Sequence, residues 1–133
     1  MPGVHYVILT GEDLEFVVRS ALDPSPEPDV ASVDVHVPER LVVPAHGFAV
    51  VDARERLDVP EDLVAMITGR SSHMRDGVTM PGGVVDPGFC GDFALEFFNH
   101  SGDDYVIEEG EAGGRLTFQT ASSRTEGYSG RWG

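Results

Sequence analysis

Hydrophobic positions recur first with helical spacing and then, for most of the chain, with the two-residue alternation of strands. Leu14, Val17, Val18 and Leu22 share one helix face. Thr10-Gly-Glu-Asp13 supplies the start, with Thr10 as N-cap and acids facing the free N–H groups of the first turn. A short extended run, Val4 to Leu9, precedes it, and the prolines of Asp23-Pro-Ser-Pro-Glu-Pro28 end it because they cannot continue the helical ladder. Beyond lie short apolar or alternating runs: Ser32–Val37, Leu41–Val43, Phe48–Val51, Leu63–Thr68, Val78–Met80, Val84–Val85, Phe93–Asn99, Tyr105–Ile107 and Arg115–Gln119. Turn residues such as Pro44-Ala-His-Gly47 and Pro81-Gly-Gly83 separate them, the latter inside a hairpin from Val78 to Val85. So many short strands predict a β-sandwich, jelly roll or small barrel, with no internal repeat. Residues 121–133 carry no strand pattern and read as a flexible C-terminal arm, or one that orders on a ligand.

The 133 residues suit one domain, 1–133. The formal net charge of −14, with all nine basic residues arginine, argues against nucleic acid or membrane as partner, since most of the surface would repel either. Cys90 is the single cysteine, which leaves no intramolecular disulfide and no thiolate cluster for zinc. Zinc-dependent nucleobase deaminases, which need two or more cysteine ligands, are excluded on the same ground. The five histidines show no metal-ligand spacing. No apolar run has the length of a membrane span, and the first residues lack the basic flank of a signal peptide, so a soluble, cytoplasmic protein is expected.

Candidate chemistry is concentrated in Gly69-Arg-Ser-Ser-His-Met-Arg75, Val85-Asp-Pro-Gly-Phe-Cys-Gly91 and Ala94-Leu-Glu96. A strand ending at Thr68 delivers Arg70, Ser71, Ser72 and Arg75 at a short helical turn, where guanidinium forks and free N–H groups suit phosphate. Glu96 has Ala94 and Phe98 on its own strand face, an apolar setting that predicts a buried carboxylate ready to exchange a proton. Each residue also has a plainer reading. Glu96 can reach solvent at a sheet edge, Asp86 can serve the Pro-Gly turn, the serines can cap a helix, and the arginines can pair with surface acids.

Taken in order, Val7-Ile-Leu-Thr-Gly-Glu-Asp-Leu14, Ala31-Ser-Val-Asp-Val35, Leu57-Asp-Val-Pro-Glu-Asp-Leu-Val-Ala65, Gly69-Arg-Ser-Ser72, Val84-Val-Asp-Pro-Gly-Phe-Cys-Gly91, Leu95-Glu-Phe-Phe-Asn99 and Gly110 to Phe118 resemble the superfamily of trimeric dUTPases and dCTP deaminases. The match is closer to dCTP deaminase, because Glu96 stands where the deaminase has its general base and dUTPases usually have an apolar residue. The resemblance implies a mainly β, jelly-roll-like sandwich or distorted barrel of the dUTPase type, with one short N-terminal helix. It also implies a homotrimer with active sites at subunit interfaces. The implied activity is hydrolysis of the 4-amino group of a cytosine deoxynucleotide, dCTP to dUTP and ammonia or a related conversion. A dUTP diphosphatase, a bifunctional enzyme giving dUMP, and a non-catalytic nucleotide-sensing trimer stay open beside it. Glu96, Ser71 and Arg75 take the catalytic positions, and Arg75 comes from a neighbouring subunit. Arg70, Ser72, Asp86, Ala94 and Leu95 take substrate-binding positions. Arg115 replaces the family's glutamine, and Tyr128 and Arg131 stand in for its closing arm. Mg2+ would enter on the nucleotide phosphates, with no zinc.

Overall fold

The computed structural model describes residues 7–123 and 127–130. Helix α1 (Gly11–Ala21) buries Leu14, Val17, Val18 and Ala21 along one stripe and keeps Glu12 and Asp13 in its first turn. Thr10 occupies the N-cap position without a side-chain hydrogen bond. The strands are β1 (Leu22–Asp23), β2 (Val33–His36), β3 (Leu41–Val43), β4 (Phe48–Asp58), β5 (Leu63–Thr68), β6 (Val78–Thr79), β7 (Gly83–Val85), β8 (Cys90–Asn99), β9 (Tyr105–Ile107) and β10 (Ala112–Thr120). A one-turn helix, α2 (Ser71–Arg75), sits between β5 and β6.

Two four-stranded antiparallel sheets, ordered β1-β4-β8-β6 and β2-β10-β5-β7, enclose one apolar core, and β3 pairs with β9 beside them. The expectation of a β-sandwich is met. Leu95 and Phe97 point inward from β8 against β10, so closely that a Cβ at Gly113 would lie 3.0–3.1 Å from both side chains; the sheets approach there because the position has no side chain. Glu55 is buried at the sandwich interior, where it accepts the His36 backbone N–H at 2.8 Å and sits 2.6 Å from His36 Nδ1. This carboxylate joins β2 of one sheet to β4 of the other, its burial compensated by hydrogen bonds.

Two expectations are corrected. β4 runs seven residues beyond Val51, because Ala53, Glu55 and Leu57 continue the inward alternation while charged residues face out. The segment from Val78 to Val85 is no hairpin: β6 pairs with β8 and β7 with β5, in different sheets. No helix among the described residues is long and apolar enough to cross a membrane.

Candidate active site

Even-numbered residues of β4 and β8 face outward, and the register sets Val50 opposite Glu96 and Asp52 opposite Ala94. This outer face, Val84 and Val85 of β7, and Asp86 and Phe89 on either side of the Pro87-Gly88 turn form a cleft of about 730 Å3. Asp86, Ala94, Glu96 and Tyr128, all expected site residues, line it together. Asp52 and Asp92 line it as well. Neither had been singled out in the sequence, because the strand readings stopped at Val51 and began at Phe93, just short of both. Their parity with Glu96 on paired strands was the available signal. A smaller groove of about 310 Å3 beside Arg19, Ser25 and Glu27 holds none of the expected site residues.

Glu96 is exposed, contrary to the burial expected from its apolar neighbours. The reason is that this face of the sheet is open in a single chain: Phe48, Val50 and Phe98 are 64 %, 54 % and 39 % exposed, with the Phe48 and Phe98 rings 5.8 Å apart. Leu95 points the other way and is fully buried, so only its backbone is left to frame a ligand. Asp86 serves the turn and the cleft at once, for its carbonyl accepts the Phe89 N–H while the residue remains exposed. Gly88 turns the chain at φ +83°, where a Cβ would lie 2.6 Å from Gly127 Cα. Through that gap Tyr128 donates its N–H to Pro87 O at 2.7 Å and lays its ring 5.4 Å from Phe89. Arg131 lies outside the described residues.

Among the described residues the cleft is lined by four carboxylates and no cation. Such walls disfavour a phosphate chain and suit an uncharged ring that offers hydrogen-bonding edges. The residues expected at the phosphates lie elsewhere: Arg70, Ser71, Ser72, Arg75 and Arg115 line none of it. Ser71, Ser72 and Arg75 are exposed on α2. The N-cap of that helix is Arg70, so neither serine is its cap. Arg75 forms no ion pair with the described residues, while Arg70 Nε and Arg115 Nε converge on one oxygen, Asp34 Oδ1, at 3.8 and 3.4 Å. Both Nε atoms are buried yet make no hydrogen bond, so two donors are held beside a carboxylate that satisfies neither. One carboxylate against two guanidiniums leaves this corner positive in a chain of net charge −14.

The acidic cleft and the arginine corner are thus two separate features of opposite charge. Residues 10–121 match the family model described as dCTP deaminase-like. The chain belongs to that family. It is 37 % identical over 111 residues to the dUMP-forming dCTP deaminase of Methanobrevibacter smithii, covering 79 % of this chain and 57 % of that protein. The chain thus spans little more than half the length of the curated relatives it matches first. Among solved structures, the 2'-deoxycytidine 5'-triphosphate deaminase of Agrobacterium tumefaciens superposes with a TM-score of 0.73 at 15 % identity, covering 87 % of this chain and 47 % of that one. Native EIAV dUTPase superposes with a TM-score of 0.65 at 18 % identity over 97 % of both chains. At such identities these likenesses establish the fold, which is the dUTPase type expected from the sequence.

Proposed function

We propose that the chain is a hydrolase that deaminates a cytosine deoxynucleotide, dCTP in the first instance, at a site completed between copies of the chain. The observation that carries the reading is Glu96, an exposed carboxylate on the floor of a cleft that also holds Asp86, Ala94 and Tyr128. Glu96 takes a proton from a water, the hydroxide adds to C4 of the cytosine, and Glu96 returns the proton to the amino group, which leaves as ammonia. The ring then keeps the oxygen. Ser71 orients the water, and Arg75, without an ion-pair partner among the described residues, faces the carboxylate from a second copy. The exposed Phe48, Val50 and Phe98 supply an apolar surface for that copy, in keeping with a homotrimer. Arg70, Ser72 and Arg115 hold the phosphates. Mg2+ enters on the phosphate oxygens of the nucleotide, where it neutralises charge.

A second reading has the same site go on to release pyrophosphate and give dUMP. The name of the relative from Methanobrevibacter smithii favours it, and Asp86 in the cleft supplies an acid for a second water. Incubation with Mg2+ and a panel of cytosine and uracil nucleotides, following ammonia, pyrophosphate and nucleotide products, tests both. Ammonia without pyrophosphate supports deamination alone, both products from dCTP support the dUMP-forming route, and pyrophosphate from dUTP without ammonia from any cytosine nucleotide sinks the proposal.

A further inference from the structure

Helix α2 carries Ser71 and Arg75, yet it is only five residues long, and a single turn has no cooperative stability of its own. Its N-cap makes no side-chain hydrogen bond, and Ser71, Ser72, Met74 and Arg75 are all exposed. What fixes it is His73, 4 % exposed and the one buried residue of the turn. The imidazole is packed edge-on against Phe97 of β8 and Tyr105 of β9, with interplanar angles of 82° and 88°. Its Nε2 lies 3.0 Å from Ala112 O, and because a carbonyl only accepts, that nitrogen carries a hydrogen and donates. Nδ1 lies 2.9 Å from the Tyr105 hydroxyl oxygen, and that hydroxyl donates its single proton to Asp76 Oδ2 at 3.1 Å. Asp76 is the C-cap residue of the same turn, and Glu111 Oε2 stands 3.5 Å from Nε2. The polar chain Ala112, His73, Tyr105, Asp76 therefore passes from β10 through the middle of α2 to β9 and back to the end of α2.

We infer that His73 is a positioning residue for the reaction, acting through α2 to hold Ser71 and Arg75 where they meet the substrate; this rests on the deaminase reading above. An apolar residue of similar bulk fills the space but leaves Ala112 O without its donor, so the turn loses its register with β9 and β10. Glutamine can place its amide N–H near the position of Nε2 and keep the bond to Ala112 O.

The test compares His73→Leu, His73→Gln and Tyr105→Phe with the parent by steady-state deamination of dCTP and by backbone amide NMR shifts. His73→Leu is expected to lower kcat by about 10- to 100-fold, the effect of a displacement near 1 Å in a reacting group, with a smaller change in KM. His73→Gln is expected to restore most of kcat. Amide shifts should change at residues 70–76 in His73→Leu, less in Tyr105→Phe, and little in His73→Gln. Equal losses in the Leu and Gln variants, or shifts spread evenly over both sheets, would overturn the inference, because both describe a merely structural histidine. If His73→Leu fails to fold, Tyr105→Phe decides: unchanged shifts at 70–76 with unchanged kcat reject it. A parent protein without ammonia release defeats the deaminase reading, while the amide shifts still decide whether His73 sets α2.

Discussion

Glu96 and Asp52 stand on strands of ten and eleven residues that pair along most of their length, whereas Ser71 and Arg75 stand on a helix of five. In the first case a long paired backbone and a buried inner face hold each outward side chain in place. In the second, one imidazole and one phenol do the positioning. The two halves thus differ in what a mutation reaches. Substitution on the sheet side should alter chemistry and leave geometry alone, while substitution under the turn should alter geometry and leave the reacting groups in place.

The largest effect expected is from Glu96→Gln. The side chain is exposed and makes no hydrogen bond with the described residues, so fold and nucleotide affinity should persist while ammonia release falls by about 100- to 10,000-fold, the range for a lost general base. Isothermal titration beside a turnover assay separates the two quantities, and undiminished turnover would return the sheet half to a purely structural role. Next comes a test of whether the halves belong to different copies. Arg75→Ala and Glu96→Gln should each be inactive alone, yet co-expressed they should recover a share of the parent activity, because some interfaces then join an intact cleft to an intact turn. A mixture as inactive as its parts would put Arg75 and Glu96 in the same chain's site.

The contrast also explains what could be read from the sequence. β3, β5 and β9 have the boundaries expected, since each is an apolar run closed by turn residues. The expected β4 stops at Val51 because Asp52-Ala-Arg-Glu-Arg-Leu-Asp58 looks charged throughout; the inward Glu55 is compensated chiefly by two hydrogen bonds with His36 of another strand, a long-range fact that no local pattern carries. That truncation hid Asp52, and the late start of β8 hid Asp92, whereas Asp86, Ala94, Glu96 and Tyr128 line the same cleft. The burial of Glu96 was misjudged for a different reason: an apolar outer face predicts a cover but does not say whether the cover belongs to the same chain. His73 lacks any spacing signal, since its partners come from β9 and β10, more than thirty residues away.

A smaller effect is expected where the C-terminal segment meets the cleft. Gly88→Ala puts a Cβ 2.6 Å from Gly127 Cα and 2.7 Å from Tyr128 N at a φ of +83°, so backbone must move. The strain is about 1–3 kcal/mol, relieved by lifting Tyr128 off Phe89. KM for the nucleotide should rise more than kcat falls, and the melting temperature should drop by only a few degrees. A fall in kcat with KM unchanged would place Tyr128 with the chemistry rather than with binding.

The smallest effect belongs to the phenol under the turn, and it appears only in alkali. Burial first, then the hydrogen bond to Asp76 and the negative charges of Asp76 and Glu111, push the Tyr105 hydroxyl up to about 12 from an ordinary value of 10.0. The folded chain therefore holds this proton more tightly than the unfolded chain does. The resulting stability is fully present below pH 10, where both states are protonated, and is lost as pH rises from about 10 through about 12, where the unfolded state has released its proton and the folded state must follow. Tyr105→Phe has no such proton, so its melting temperature should fall less steeply than the parent's across that window, even if it starts lower. Because the group is partly exposed, solvent screening keeps the difference small. Parallel curves for the two proteins would mean that Tyr105 is solvated in the folded state, and with that the hydrogen-bonded chain that ties α2 to β9 would be broken at its middle link.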